Sequence, residues 1–201
     1  MRIFLAAATA ILLAGCSDEP APVKKAAEPP AAPITGRQAF QYVYGSSRIW
    51  ESDSMPLTVR SLNVAGVVPE DGKAAAWEVI FVSQMTGRAR TYTWSAIEAE
   101  GLHKGVFPGQ QESWGPGGAN QPFDPSLLKV DTTDALVAAI NAAGAYVNKP
   151  GKRPPVNYML DYAAGTRYPN PVWRVLWGGS ASSAEYSVSV DASTGKVVAR
   201  D

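Results

Sequence analysis

The last thirty-one residues, Pro171 to Asp201, admit few folds. Val172–Trp177, Tyr186–Asp191 and Lys196–Arg200 read as three short antiparallel strands. In the second, Tyr186, Val188 and Val190 alternate with Ser187, Ser189 and Asp191, the period of two of a half-buried strand. Asp191-Ala-Ser-Thr-Gly195 supplies the turn into the third, with an acceptor side chain at its start and a glycine free to take positive φ. Such strands need a partner layer. Asp131-Thr-Thr133 offers a helix N-cap, and Ala135, Leu136, Ala139, Ile140 and Ala143 follow at helical spacing.

The same order is legible earlier. Sliding residues 35–99 forward by 96 positions sets Ala39-Phe40 on Ala135-Leu136 and Trp77-Glu-Val79 on Trp173-Arg-Val175. Thr91–Trp94 then falls on Ser187–Val190. A repeat of this length argues for two similar units. The first has a helix after Thr35 or Gly36, an extended run over Leu57–Val68, and two further strands. The second matches it, with its extended run over Val156–Ala163 and an added closing strand. The expected class is α+β, each unit a helix packed on a small antiparallel sheet. Trp77 and Trp173 head the core strands and are expected to be buried, with partners for their indole N–H groups.

Trp173-Arg-Val175, the Tyr186–Val190 alternation and Asp191-Ala-Ser-Thr-Gly-Lys-Val197 after an amphipathic helix resemble a PepSY domain. The resemblance covers about 131–201 and, more faintly, 35–99. Ser95-Ala-Ile-Glu-Ala-Glu-Gly101 departs from it, lacking the Asp and the Thr-Gly turn. PepSY domains belong to secreted and membrane-attached bacterial proteins. The resemblance implies a non-catalytic module that binds or inhibits peptidases.

The N-terminus is written differently. Met1-Arg2 is basic, and Ile3–Leu13 is apolar but too short for a permanent span. The run closes on Leu13-Ala-Gly-Cys16, which resembles a bacterial lipobox and implies cleavage before Cys16 and its acylation. Cys16 is the only cysteine, so this exported chain has no disulfide framework. Residues 1–15 are thus expected to be a signal peptide and 16–33 a lipidated tether rich in Pro and Ala. At about 3.1 Å per residue that tether reaches roughly 50 Å. Ser17 after the cysteine implies outer-membrane sorting, facing the periplasm, if the cell is Gram-negative.

Residues 34–103 and 129–201 form the two expected repeats, and 104–128 the connection. Five glycines and four prolines between Lys104 and Ser126 argue against regular structure there. The connection carries Phe107, Trp114 and Phe123, which either staple it to the repeats or contact a partner. The precursor has 18 basic and 18 acidic side chains, and loss of Arg2 leaves a net charge of about −1. That balance does not suggest nucleic-acid binding, which would need a basic stripe.

Catalytic motifs are wanting in the sequence. His103 is the sole histidine, with no carboxylate or thiolate cluster to make it a metal ligand. There is no HExxH, no G-x-S-x-G and no P-loop. Gly178–Ser183 lies between strands, where a hairpin loop is expected and not a nucleophile turn. No catalytic, cofactor or metal residue is assigned. The reading is a lipid-anchored binding protein of the cell envelope, held to the membrane through Cys16. Its partner would be an envelope protein or peptidase, docked by strand addition at an exposed sheet edge under the Trp114 loop. The alternatives are an envelope hydrolase with a carboxylate pair, and an outer-membrane assembly accessory.

Overall fold

The computed structural model describes residues 32–201 except 68–69, 152–153, 164, 166–167 and 179–181. The expected signal peptide, Cys16 and nearly all of the tether lie outside the described residues.

The chain runs β1 (Ile34–Thr35), α1 (Gly36–Trp50), β2 (Met55–Leu62), β3 (Lys73–Ala74), β4 (Ala76–Ser83), β5 (Arg88–Ser95) and β6 (Gly105–Ser113). A 3₁₀ turn at Pro125–Leu127 leads into α2 (Thr132–Ala142) and the single turn α3 (Gly144–Val147). Then come β7 (Val156–Asp161), β8 (Val172–Trp177), β9 (Tyr186–Asp191) and β10 (Val197–Arg200). The fold is α+β with one large antiparallel sheet and few helices. Among the described residues no helix is long and apolar enough to cross a membrane.

Two small sheets were the expectation; one sheet of eight strands is found, in the order β10-β9-β8-β7-β2-β4-β5-β6. The extended runs after the two helices pair with each other. Thr58, Val59 and Arg60 of β2 lie opposite Asp161, Leu160 and Met159 of β7. Each run would otherwise leave a row of backbone groups unpaired beside a core, and pairing them removes two edges at once.

Register then sorts the side chains. Val59, Trp77, Val79, Phe81, Leu160, Trp173, Val175, Val188 and Val190 fall on one face, all 0% exposed. Helices α1 and α2 cover that face with Ala39, Phe40 and Val43, and with Ala135, Leu136 and Ala139. The opposite face carries ion pairs. Arg60 Nε meets Glu78 at 2.7 Å, and Arg174 Nε meets Asp161 at 3.2 Å. Asp161 is 2% exposed, and burial pushes its carboxyl up although Arg174 pulls it down.

At the middle of the molecule the two helices start side by side. Thr35 caps α1 in a capping box with Gln38. Asp131 caps α2 through Thr132 N–H at 2.7 Å, and the same Oδ1 accepts from Arg37 N–H of α1 at 3.0 Å. Its other oxygen accepts from the Thr35 hydroxyl at 2.7 Å. One carboxylate thus serves two helix N-termini, where anionic charge is favoured. Gly36 lies between the buried indoles, and a Cβ there would stand 2.7 Å from Trp173 and 3.0 Å from Trp77. Asp131→Ala is expected to lose about 2 kcal/mol or more, since a single cap is worth about 1. Urea denaturation checks it, with Asp131→Asn, which keeps one acceptor oxygen, losing less.

The expected connecting loop is half wrong. Gly105–Ser113 is strand β6, paired along β5 from Ser95↔Gly105 to Arg88↔Ser113. The first half of the sheet therefore has a closing strand too, and it extends to Ser113, beyond the expected boundary at 103. Its two glycines and one proline are compatible with a strand because β6 is the last in the sheet. Pro108 has no N–H to offer, which an edge strand tolerates. The register shifts beside Gly109, whose Cβ would come 3.0 Å from the Thr91 carbonyl oxygen. The Asp191 turn is as expected. Asp191 Oδ1 accepts from Ser193 N–H at 2.9 Å and Thr194 N–H at 2.8 Å, and Gly195 takes φ +75°.

Candidate functional site

After β6 the chain forms a strap, pinned at both ends. Trp114 N–H donates to Gly87 O at 2.8 Å. Seven residues on, Gln121 N–H donates to Tyr162 O at 2.7 Å, and Phe123 N–H to Pro56 O at 3.0 Å. Phe123 is 2% exposed and belongs to the core. It is therefore a staple and not a partner contact, because its ring fills the space between the strap and the sheet. Between the pins, Gly115 to Ala119 are exposed.

Beneath the strap lies a groove of about 420 Å³. Trp114, half-buried, lines it with Gln84, Asn120 and Gln121. Gly87, Pro116, Gly117 and Pro122 complete it, so every lining residue is uncharged. Among the described residues, no hydrogen-bond partner meets the Trp114 indole N–H or the amide groups of Gln84, Asn120 and Gln121. The groove thus offers one aromatic surface and four polar groups not engaged within the protein.

Its far wall is rigid for a reason the sequence does not announce. Gln84 sits in the turn between β4 and β5. Asp53 grips that turn, accepting from Met85 N–H at 3.0 Å and from the Ser83 hydroxyl at 2.7 Å. The Met85 amide holds the Asp53 carboxyl below its ordinary range. Asp53 is distant in sequence from the turn that it holds, so no local pattern marks it.

The other candidate aromatic, Phe107, lies at the opposite end of β6. It is 43% exposed and packs on His103 at 4.1 Å between ring centroids. His103 has a carboxylate neighbour after all. Its Nδ1 lies 2.8 Å from Glu98 Oε1, while Glu98 Oε2 accepts from Lys104 N–H at 2.9 Å. The turn between β5 and β6 creates that pair. Both oxygens of Glu98 are thus engaged within this turn. Among the described residues no three His, Cys, Asp or Glu side chains cluster as metal ligands. Trp77 and Trp173 are wholly buried and meet edge to face, centroids 6.4 Å apart.

The sheet edges are less inviting than the groove. The β5–β6 and β9–β10 ladders each carry a register shift, and β6 adds Pro108 and Glu112. Irregularities, prolines and charges of this kind discourage strand addition. A comparison with known proteins finds no matching family model, curated protein or solved structure.

Proposed function

We propose that this chain is a binding module anchored to a bacterial cell envelope by lipid on Cys16, built from two PepSY-like halves. The single observation that carries the binding role is the Trp114 groove: an aromatic wall and two amides on a strap fixed at both ends, with a third amide, Gln84, on the turn beside it, none of them meeting a side-chain partner among the described residues. A loop that served only as a connector would not need its ends pinned around an open space; functional sites are held so.

Equivalent contacts support the two-half reading. Trp77 Nε1 donates to Ile34 O and Trp173 Nε1 to Val130 O, each reaching 43 residues back. Residues 96 apart touch one another, as with Thr35 and Asp131, Gly36 and Thr132, and Ser61 and Asn157. Two copies of one unit facing each other across a two-fold axis would make such contacts. The anchor rests on the lipobox-like Leu13-Ala-Gly-Cys16, and several acyl chains hold a protein where one does not.

Two measurements test the proposal. Fatty-acid labelling should mark the wild-type chain and not Cys16→Ala, which should leave the membrane or remain unprocessed. The detergent-solubilised mature protein should sediment with isolated envelope fragments, and Trp114→Ala should lower the retained fraction at unchanged melting temperature. An unlabelled wild type would end the anchor. Equal retention of both forms would end the groove's role.

A further inference from the structure

We infer that the groove takes an uncharged carbohydrate chain; this rests on the binding role proposed above. A hydroxyl both donates and accepts, and so does a primary amide through its NH₂ and its carbonyl oxygen. Gln84, Asn120 and Gln121 place three such groups around one cavity. A pyranose ring has two kinds of surface, a rim of hydroxyls and faces of C–H. An indole gives the C–H face a broad, stiff apolar platform and adds one N–H donor at its edge. Trp114 supplies both.

The lining also argues against other occupants. It contains no Lys, Arg, Asp or Glu, so nothing in it would neutralise a phosphate, a carboxylate or an amine. A proline-rich peptide is read by grooves lined with several aromatics. Here Trp114 is the only aromatic in the lining. A volume of about 420 Å³ falls within the size range of small-molecule sites. The strap residues beside it, Gly115 to Ala119, are exposed, so the groove is reached from solvent.

Calorimetry and chemical-shift mapping on the mature protein decide the matter. The probes are an N-acetylglucosamine tetrasaccharide, cellotetraose and a twelve-residue proline-rich peptide, each raised to about 1 mM, which detects millimolar dissociation constants. Binding of either saccharide is expected, with shifts at Trp114, Gln84 and Gln121. Trp114→Ala should weaken it by about tenfold or more, the size of one lost stacking contact with its solvent exclusion. Trp114→Phe should recover part of that loss, and Gln84→Ala should weaken binding several-fold. No heat and no shift with either saccharide overturns the inference. So does binding of the peptide alone, or saccharide binding that Trp114→Ala leaves unchanged. Envelope retention that depends on Trp114, together with saccharide silence, would sink this inference while leaving the binding role standing. Loss of both would sink both.

Discussion

Trp173→Ala is expected to lose about 3–5 kcal/mol of folding stability, the range for deleting a fully buried large aromatic. The ring is 0% exposed and touches Trp77 edge to face. Removing it leaves a cavity where the two helices and the middle of the sheet converge. It also takes the donor from Val130 O, which the indole meets at 2.9 Å. Small domains hold only about 5–15 kcal/mol in total, so the variant should sit near the limit of folding. Trp77→Ala should behave alike, having the same burial and a 3.0 Å bond to Ile34 O. Because the rings touch, the double variant should lose less than the sum of the two. Urea midpoints of all three variants check this. A loss under about 1 kcal/mol for Trp173→Ala would mean that the ring does not carry the core.

Gly72→Ala is the second large expected effect. Gly72 holds φ at +75°, and a Cβ there would lie 2.5 Å from Thr133 Cα. The first property costs about 1–2 kcal/mol for any L-residue. The second is a collision with backbone, which cannot rotate away, and overpacking typically adds about 1–3 kcal/mol. Gly72 also ties the turn before β3 to β7 and α2. Its N–H donates to the Tyr158 hydroxyl at 2.9 Å, and its carbonyl accepts from the Thr132 hydroxyl. Burial pushes the Tyr158 phenol up to about 12, and its oxygen accepts that bond. A built-in control is Gly101, at φ +73° with nothing within 4 Å of its would-be Cβ. Gly101→Ala should show the backbone cost alone. If the two alanine variants melt together, the contact between Gly72 and α2 is not the constraint.

The same two glycines show where reading a sequence stops. Both stand in polar stretches and look alike as turn residues. Only the packing of α2 against the turn before β3 separates them. Gly36 is similar. It reads as a helix start, yet what forbids a side chain there is a pair of indole rings from Trp77 and Trp173.

Elements were legible wherever a local period determines them. Tyr186–Asp191 alternates because Val188 and Val190 face the core while Ser187, Ser189 and Asp191 take the polar side, although Ser189 and Asp191 are themselves buried there and not half-exposed as the period suggests. Ala135, Leu136 and Ala139 recur because one side of α2 is covered. Asp131 was recognisable as a cap and Thr35 as one of two helix starts, since a short acceptor before a helical run satisfies orphan N–H groups. That Asp131 serves both helices was not recognisable, because Arg37 lies 94 positions away. Strand β6 was missed for a physical reason. Glycine and proline weaken a strand by local preference, and at a sheet edge, pairing with β5 along one side outweighs that preference.

By itself, then, the sequence determined the helix and strand periods, the Asp131 cap and the two buried tryptophans. Those are set by each residue's own backbone preferences and by contrast with its near neighbours. The tertiary structure alone decided that the two runs after the helices join into one sheet, that Phe123 turns inward while Trp114 does not, and that Gln84, Asn120 and Gln121 meet around a single groove. Those outcomes depend on which distant surfaces meet and exclude water from each other, and no window of neighbouring residues contains that information.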